Sequence, residues 1–107
     1  MGGLFSRGGF TMPRFVMLVN YTDKGIANLK DSPKRADAFR AMVAKHGGKV
    51  EQQFWCMGAF DGLVVLNAPS DEAMSAIALS VGQLDAIRTT TLRAYDEAEF
   101  QAILKKV

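Results

Sequence analysis

Residues 50–69, VEQQFWCMGAFDGLVVLNAP, set two apolar runs on either side of Met57-Gly58-Ala59-Phe60-Asp61. Apolar runs flanking a glycine-containing reversal predict a β-hairpin, which must bury at least one face against helices or further strands. In the outgoing strand, Val50, Gln52, Phe54 and Cys56 alternate with Glu51, Gln53, Trp55 and Met57. Its polar start and apolar end predict an edge strand whose burial grows toward the turn. In the return strand, Phe60, Gly62, Val64 and Leu66 oppose Asp61, Leu63, Val65 and Asn67, the pattern of a more central strand. Gly58 lets the chain turn, Phe60 anchors the turn, and Asp61 is placed to fix it by binding local amides.

The elements before the hairpin follow from the same kind of reading. Arg14-Phe15-Val16-Met17-Leu18-Val19-Asn20 supplies aromatic and branched residues on both faces, predicting a buried central strand. Tyr21-Thr22-Asp23-Lys24-Gly25 breaks that run, with Thr22 or Asp23 capping a short helical turn through Leu29. Ser32 is expected to cap the next helix, with Pro33 in its first turn. Ala36, Phe39, Val43 and His46 then recur at helical spacing toward a sheet. Gly47-Gly48 ends the helix, glycine accepting the left-handed conformation that branched residues resist.

After the hairpin, Ser70 is expected to cap a helix with Asp71 and Glu72 in its first turn and Ala73, Ile77, Val81 and Leu84 along its apolar stripe. Residues 86–95, AIRTTTLRAY, read as a last strand rich in threonine. Asp96 can cap a terminal helix whose patch of Phe100, Ile103 and Leu104 is expected to pack against the body or a partner. The order strand, helix, strand, strand, helix, strand predicts an α+β, ferredoxin-like βαββαβ layer with an additional C-terminal helix and both main helices on one face. The opposite face is apolar in several places. Pairing of two sheets into a dimeric α/β barrel is the simplest way to cover it.

Composition narrows the function classes. The chain has 107 residues with 49% hydrophobic content, enough for one continuous core. Residues 1–12 are expected to form a flexible extension ahead of a domain over 13–107. Thirteen Lys and Arg against eleven Asp and Glu leave only +2, spread along the chain, which argues against a nucleic-acid partner because phosphate binding needs clustered charge. No apolar run reaches the roughly 18 residues of a membrane span, and the opening MGGLFSRGGFTM is too short and glycine-rich for a secretion signal. Cys56 is the only cysteine. A reducing, cytoplasmic location is expected, with no internal disulfide. One histidine, one cysteine and no closely spaced ligand cluster give no metal site. No glycine-rich phosphate loop occurs, and no cofactor is expected.

The chain resembles the GYD-domain family on Gly58-Ala59-Phe60-Asp61, on Gly62-Leu63-Val64-Val65-Leu66-Asn67-Ala68-Pro69-Ser70-Asp71-Glu72-Ala73 and on Arg88-Thr89-Thr90-Thr91-Leu92-Arg93-Ala94-Tyr95. Residues 13–104 present the same order of elements. Phe60 stands where the name-giving tyrosine would, keeping the ring and losing the phenolic hydroxyl. The resemblance implies a dimeric ferredoxin-like fold more than a particular chemistry.

Asn20, Tyr21, His46, Trp55, Asp61 and Arg88 stand near the ends of the expected strands and helices and could frame a pocket between the sheet and its helices. Histidine is the side chain whose free form changes charge near neutral pH, so His46 is a candidate general base, with solvent exposure or carbonyl capping as its plainer role. Asp61 could join it in catalysis or only fix the turn. Asn20, Tyr21, Trp55 and Arg88 are candidate ligand contacts, Trp55 by stacking and Arg88 by meeting an anion. Cys56 suits an inert core thiol better than a nucleophile. The leading expectation is a small dimeric binding or stress-associated protein with a small-molecule pocket. The alternatives are a cofactor-independent enzyme, monooxygenase-like or isomerase-like, acting on a small partly aromatic metabolite, and a structural oligomerisation module.

Overall fold

Strand β1 (Arg14–Tyr21) lies near the middle of a four-stranded sheet and pairs with both β3 and β4. The computed structural model describes residues 12–107; the expected extension lies outside them except for Met12. Along the chain β1 is followed by a short helix α1 (Asp23–Ala27), a 3-10 turn (Leu29–Asp31), helix α2 (Ser32–Lys45) and the hairpin strands β2 (Lys49–Trp55) and β3 (Gly62–Asn67). Helix α3 (Asp71–Gln83), β4 (Ile87–Ala94) and helix α4 (Glu97–Leu104) complete it. The sheet order is β2-β3-β1-β4 with every neighbouring pair antiparallel. Each helical crossover therefore joins two parallel strands with a third between them, which is the ferredoxin-like α+β pattern.

The register separates the faces of the sheet. Phe15 and Met17 of β1 align with Leu66 and Val64 of β3. These four form one buried cluster with Val43 of α2 and with Met74 and Ile77 of α3, so both main helices cover the same face. Fully burying a side chain of this kind contributes about 1.5–3 kcal/mol, and Met17, Val43, Leu66 and Ile77 are sealed from solvent. Val16, Leu18, Leu63 and Val65 alternate with these core residues and point to the other face. Phe54 and Leu92 align with Leu63 and Val16 and are 51% and 46% exposed.

Three local features differ from the sequence expectation, each for a physical reason. A β-bulge at Glu51 shifts the pairing from Val50↔Leu66 to Gln52↔Val65. The extra residue puts Val50 on the same face as Gln53 and Trp55, which uninterrupted alternation would separate. Ser32 does not cap α2: the N-cap is Asp31, without a side-chain bond, and Ser32 is buried inside the first turn. Leu84, expected on the buried stripe of α3, is exposed because the helix ends at Gln83 and Asp85 then turns the chain with φ of 62°. Helix α4 buries no residue, and Phe100 and Leu104 stay about half exposed. It is held by its Asp96–Glu99 capping box and by Arg14, which meets Glu99 at 2.8 Å and Asp96 at 3.7 Å.

The other caps follow the sequence. Thr22 accepts from Gly25 N–H to start α1, and Ser70 accepts from Ala73 N–H to start α3. Helix α1 clamps the corner between α3 and β4: Thr22 N–H donates to the Ala86 carbonyl at 3.1 Å, and its hydroxyl donates to that of Asp85 at 2.5 Å. Gly25 lies so close to this corner that a Cβ there would overlap the Ala86 carbonyl oxygen. No helix among the described residues is long and apolar enough to cross a membrane.

Candidate functional site

Helix α2 supplies one wall of the site. Ser32, Arg35, Ala36, Phe39 and Met42 recur at helical spacing and face a cavity of about 180 Å³ between this helix and the sheet. Met17, Val19 and Val64 form its apolar floor, and Val81 and Leu84 approach from the end of α3. The remaining lining includes Tyr21, the last residue of β1, and Gln53 and Trp55 at the end of β2. The cavity is largely apolar, with its polar groups gathered on Tyr21, Ser32, Arg35, Gln53, Trp55 and Asp61.

Four of these side chains form one hydrogen-bonded chain. Trp55 Nε1–H donates to the Tyr21 hydroxyl oxygen at 3.1 Å, and that oxygen lies 2.8 Å from Ser32 Oγ. Arg35 Nη2 donates to Ser32 Oγ at 3.2 Å and Nη1 donates to the Asn28 carbonyl at 3.1 Å. Each hydroxyl oxygen thus accepts one outside donor, and only one of the two hydroxyl hydrogens is used in the bond between them. The other is left for a further acceptor. The bulge at Glu51 belongs to this geometry, because it sets the register that brings Trp55 opposite Gly62 and toward Tyr21.

Asp61 lies at the opposite end of the Tyr21 side chain. Its Oδ2 accepts the Tyr21 amide at 2.9 Å, its own N–H donates to the Val19 carbonyl at 2.8 Å, and its carbonyl accepts from Cys56 N–H at 2.9 Å. These bonds fasten the hairpin loop to β1. Asn20 pins the same loop by donating from Nδ2 to the Ala59 carbonyl at 3.0 Å. Gly58 occupies φ of 106° with open space around it, so the turn requires glycine for its backbone and not for room. Phe60 is half-buried in this loop, while Met57 is 97% exposed.

The structure therefore brings together Tyr21, Trp55 and Asp61, and places the other three sequence candidates elsewhere. Asn20 and Arg88 are cross-strand partners on the register that alternates with Tyr21. The Arg88 guanidinium holds Asp85 at 2.7 Å and the Gly82 carbonyl at 3.3 Å. His46 caps the far end of α2, with Nδ1 2.9 Å from the Met42 carbonyl, and does not line the cavity. Cys56, expected among core side chains, is exposed because β2 ends at Trp55 and the thiol falls in the loop. Among the described residues no three His, Cys, Asp or Glu side chains gather where they could hold a metal ion.

Ser32 and Arg35 were not among the candidates from sequence. The serine carried the signature of a cap, and the arginine lies outside the stripe of Ala36, Phe39, Val43 and His46 that the helical period marks. Their i, i+3 spacing next to the apolar stripe was the available signal.

The GYD domain model matches residues 15–104. A relative from Thermus thermophilus, named glutamine synthetase and cystathionine beta-lyase binding protein, is 27% identical over 95 residues, covering 88% of this chain and all of that protein.

Proposed function

The chain belongs to the GYD domain family, and on that footing we propose that it is a small homodimeric binding protein, cytoplasmic, whose ligand enters the cavity beneath α2. The observation that carries this reading is an apolar cavity of about 180 Å³ with a hydroxyl and guanidinium cluster on one wall. Apolar lining with a few convergent polar groups is how small-molecule sites are built. Pairing through the open sheet face is supported by Val16, Leu18, Leu63, Val65, Phe54 and Leu92, which share that face. The relative's name supports protein partners as a further part of the same binding role.

Binding is preferred to cofactor-independent catalysis because His46 stands away from the cavity and Asp61 bonds the Tyr21 amide. It is preferred to a purely structural module because side chains do not fill the space beneath α2. Sedimentation equilibrium combined with equilibrium dialysis against phenol tests both parts. The expected outcome is twice the 11.7 kDa chain mass and saturable uptake of one phenol per chain. A monomer at every concentration would remove the dimer, and absence of saturable uptake would remove the pocket.

A further inference from the structure

Arginine partners set Arg35 apart. Arg14 holds Glu99 and Asp96, Arg40 holds Asp37, and Arg88 holds Asp85. Arg93 lies over the rings of Phe15 and Tyr95, at 5.6 and 4.7 Å from their centroids. Arg35 alone among these lines the cavity, it is half-buried, and its two hydrogen bonds go to neutral oxygens, the Asn28 carbonyl and Ser32 Oγ. A guanidinium has five N–H donors, so donors remain after those bonds.

Resting on the small-molecule reading above, we infer that the cavity takes a monocarboxylate with a flat apolar body of about one ring. The carboxylate meets Arg35 and the spare hydroxyl hydrogen of the Tyr21–Ser32 pair. Arginine suits a carboxylate because its fork offers parallel donors, and charge-assisted bonds are about twice as strong as neutral ones. The Tyr21–Ser32 hydroxyl pair is already oriented by Trp55 on one side and Arg35 on the other, so little freedom is lost when its remaining hydrogen donates.

Asp61 also lines the cavity and would repel an anion placed beside it. It binds the backbone end of Tyr21, whereas Ser32 and Arg35 gather at the hydroxyl end. The length of the tyrosine side chain thus separates the two charges and sets the ligand's orientation, carboxylate toward α2. Met17, Val19, Phe39, Met42 and Val64 offer the ring an apolar bed. Size agrees: an apolar cavity of about 150 Å³ accommodates benzene, and this one is about 180 Å³.

Trp55 is the only tryptophan, lines the cavity and bonds Tyr21 directly, so its emission reports occupancy without a label. Titrations of the full chain with benzoate and with its neutral counterpart benzamide, followed by Trp55 fluorescence, test the assignment. Benzoate is expected to bind at least about tenfold more tightly than benzamide, the difference expected of one charge-assisted bond. Arg35→Gln should erase that preference, Arg35→Lys should restore part of it, and Lys34→Gln, at an exposed neighbour, should leave it intact. Equal affinities for benzoate and benzamide in the native protein would overturn the carboxylate assignment while leaving the pocket in place, and that comparison needs no variant to fold. An unchanged preference in a folded Arg35→Gln protein would overturn the role of Arg35. If neither compound nor phenol binds, the pocket reading itself fails along with this one.

Discussion

Tyr21 joins three parts of the molecule through one side chain and its amide. The amide is held by Asp61 of the hairpin loop, and the hydroxyl stands between Trp55 of β2 and Ser32 of α2. Tyr21→Phe keeps the ring and removes the oxygen, leaving the Trp55 indole and Ser32 without that partner. A net loss of about 1 kcal/mol is expected, seen as a melting temperature lower by about 4–8 °C in a domain of this size. An unchanged melting temperature would mean that the hydroxyl chain adds nothing to stability. Tyr21, Trp55 and Asp61 were legible in the sequence because strand ends next to a break are where polar and aromatic groups can face a cavity. Ser32 was not, since a serine before a proline is equally the mark of a helix cap. Only the fold shows its hydroxyl turned to Tyr21.

At the scale of elements, hydrophobic period and caps were the readable signals. A continuous apolar run marked β1, the two registers of the hairpin marked β3, and the apolar stripes marked α2 and α3, each of which contributes to a common core. The bulge at Glu51 was not readable, since one extra residue leaves the composition of a strand unchanged while reversing which side each residue faces. Helix α4 is a different case. Its eight residues are too few for stability in isolation, it fully buries no side chain, and its capping box and Arg14 contacts tie its start to the sheet. Asp96→Ala should therefore cost about 1 kcal/mol of local helix stability. Amide hydrogen exchange should accelerate across residues 97–104 while the core strands stay protected. Uniform acceleration through β1 and β3 would show that α4 is part of the cooperative core.

For the whole molecule, the sheet divides the work between its faces. One face carries α2, α3 and the cavity; the other presents the apolar register of Val16, Leu18, Leu63 and Val65. Family membership accounts for the fold over residues 15–104, while the polar wall of the cavity depends on this chain's own side chains. Sequence order does not reveal this wall, because Tyr21, Ser32, Trp55 and Asp61 come from four separate segments that only the assembled sheet and its helix bring together. Amide and indole NMR spectra recorded with and without benzoate examine this division most directly. Shifts should concentrate on the Tyr21, Ser32 and Arg35 amides and the Trp55 indole, with Leu18, Val65 and Leu92 unmoved. Shifts centred on the open face, or none at all, would contradict a ligand site beneath α2.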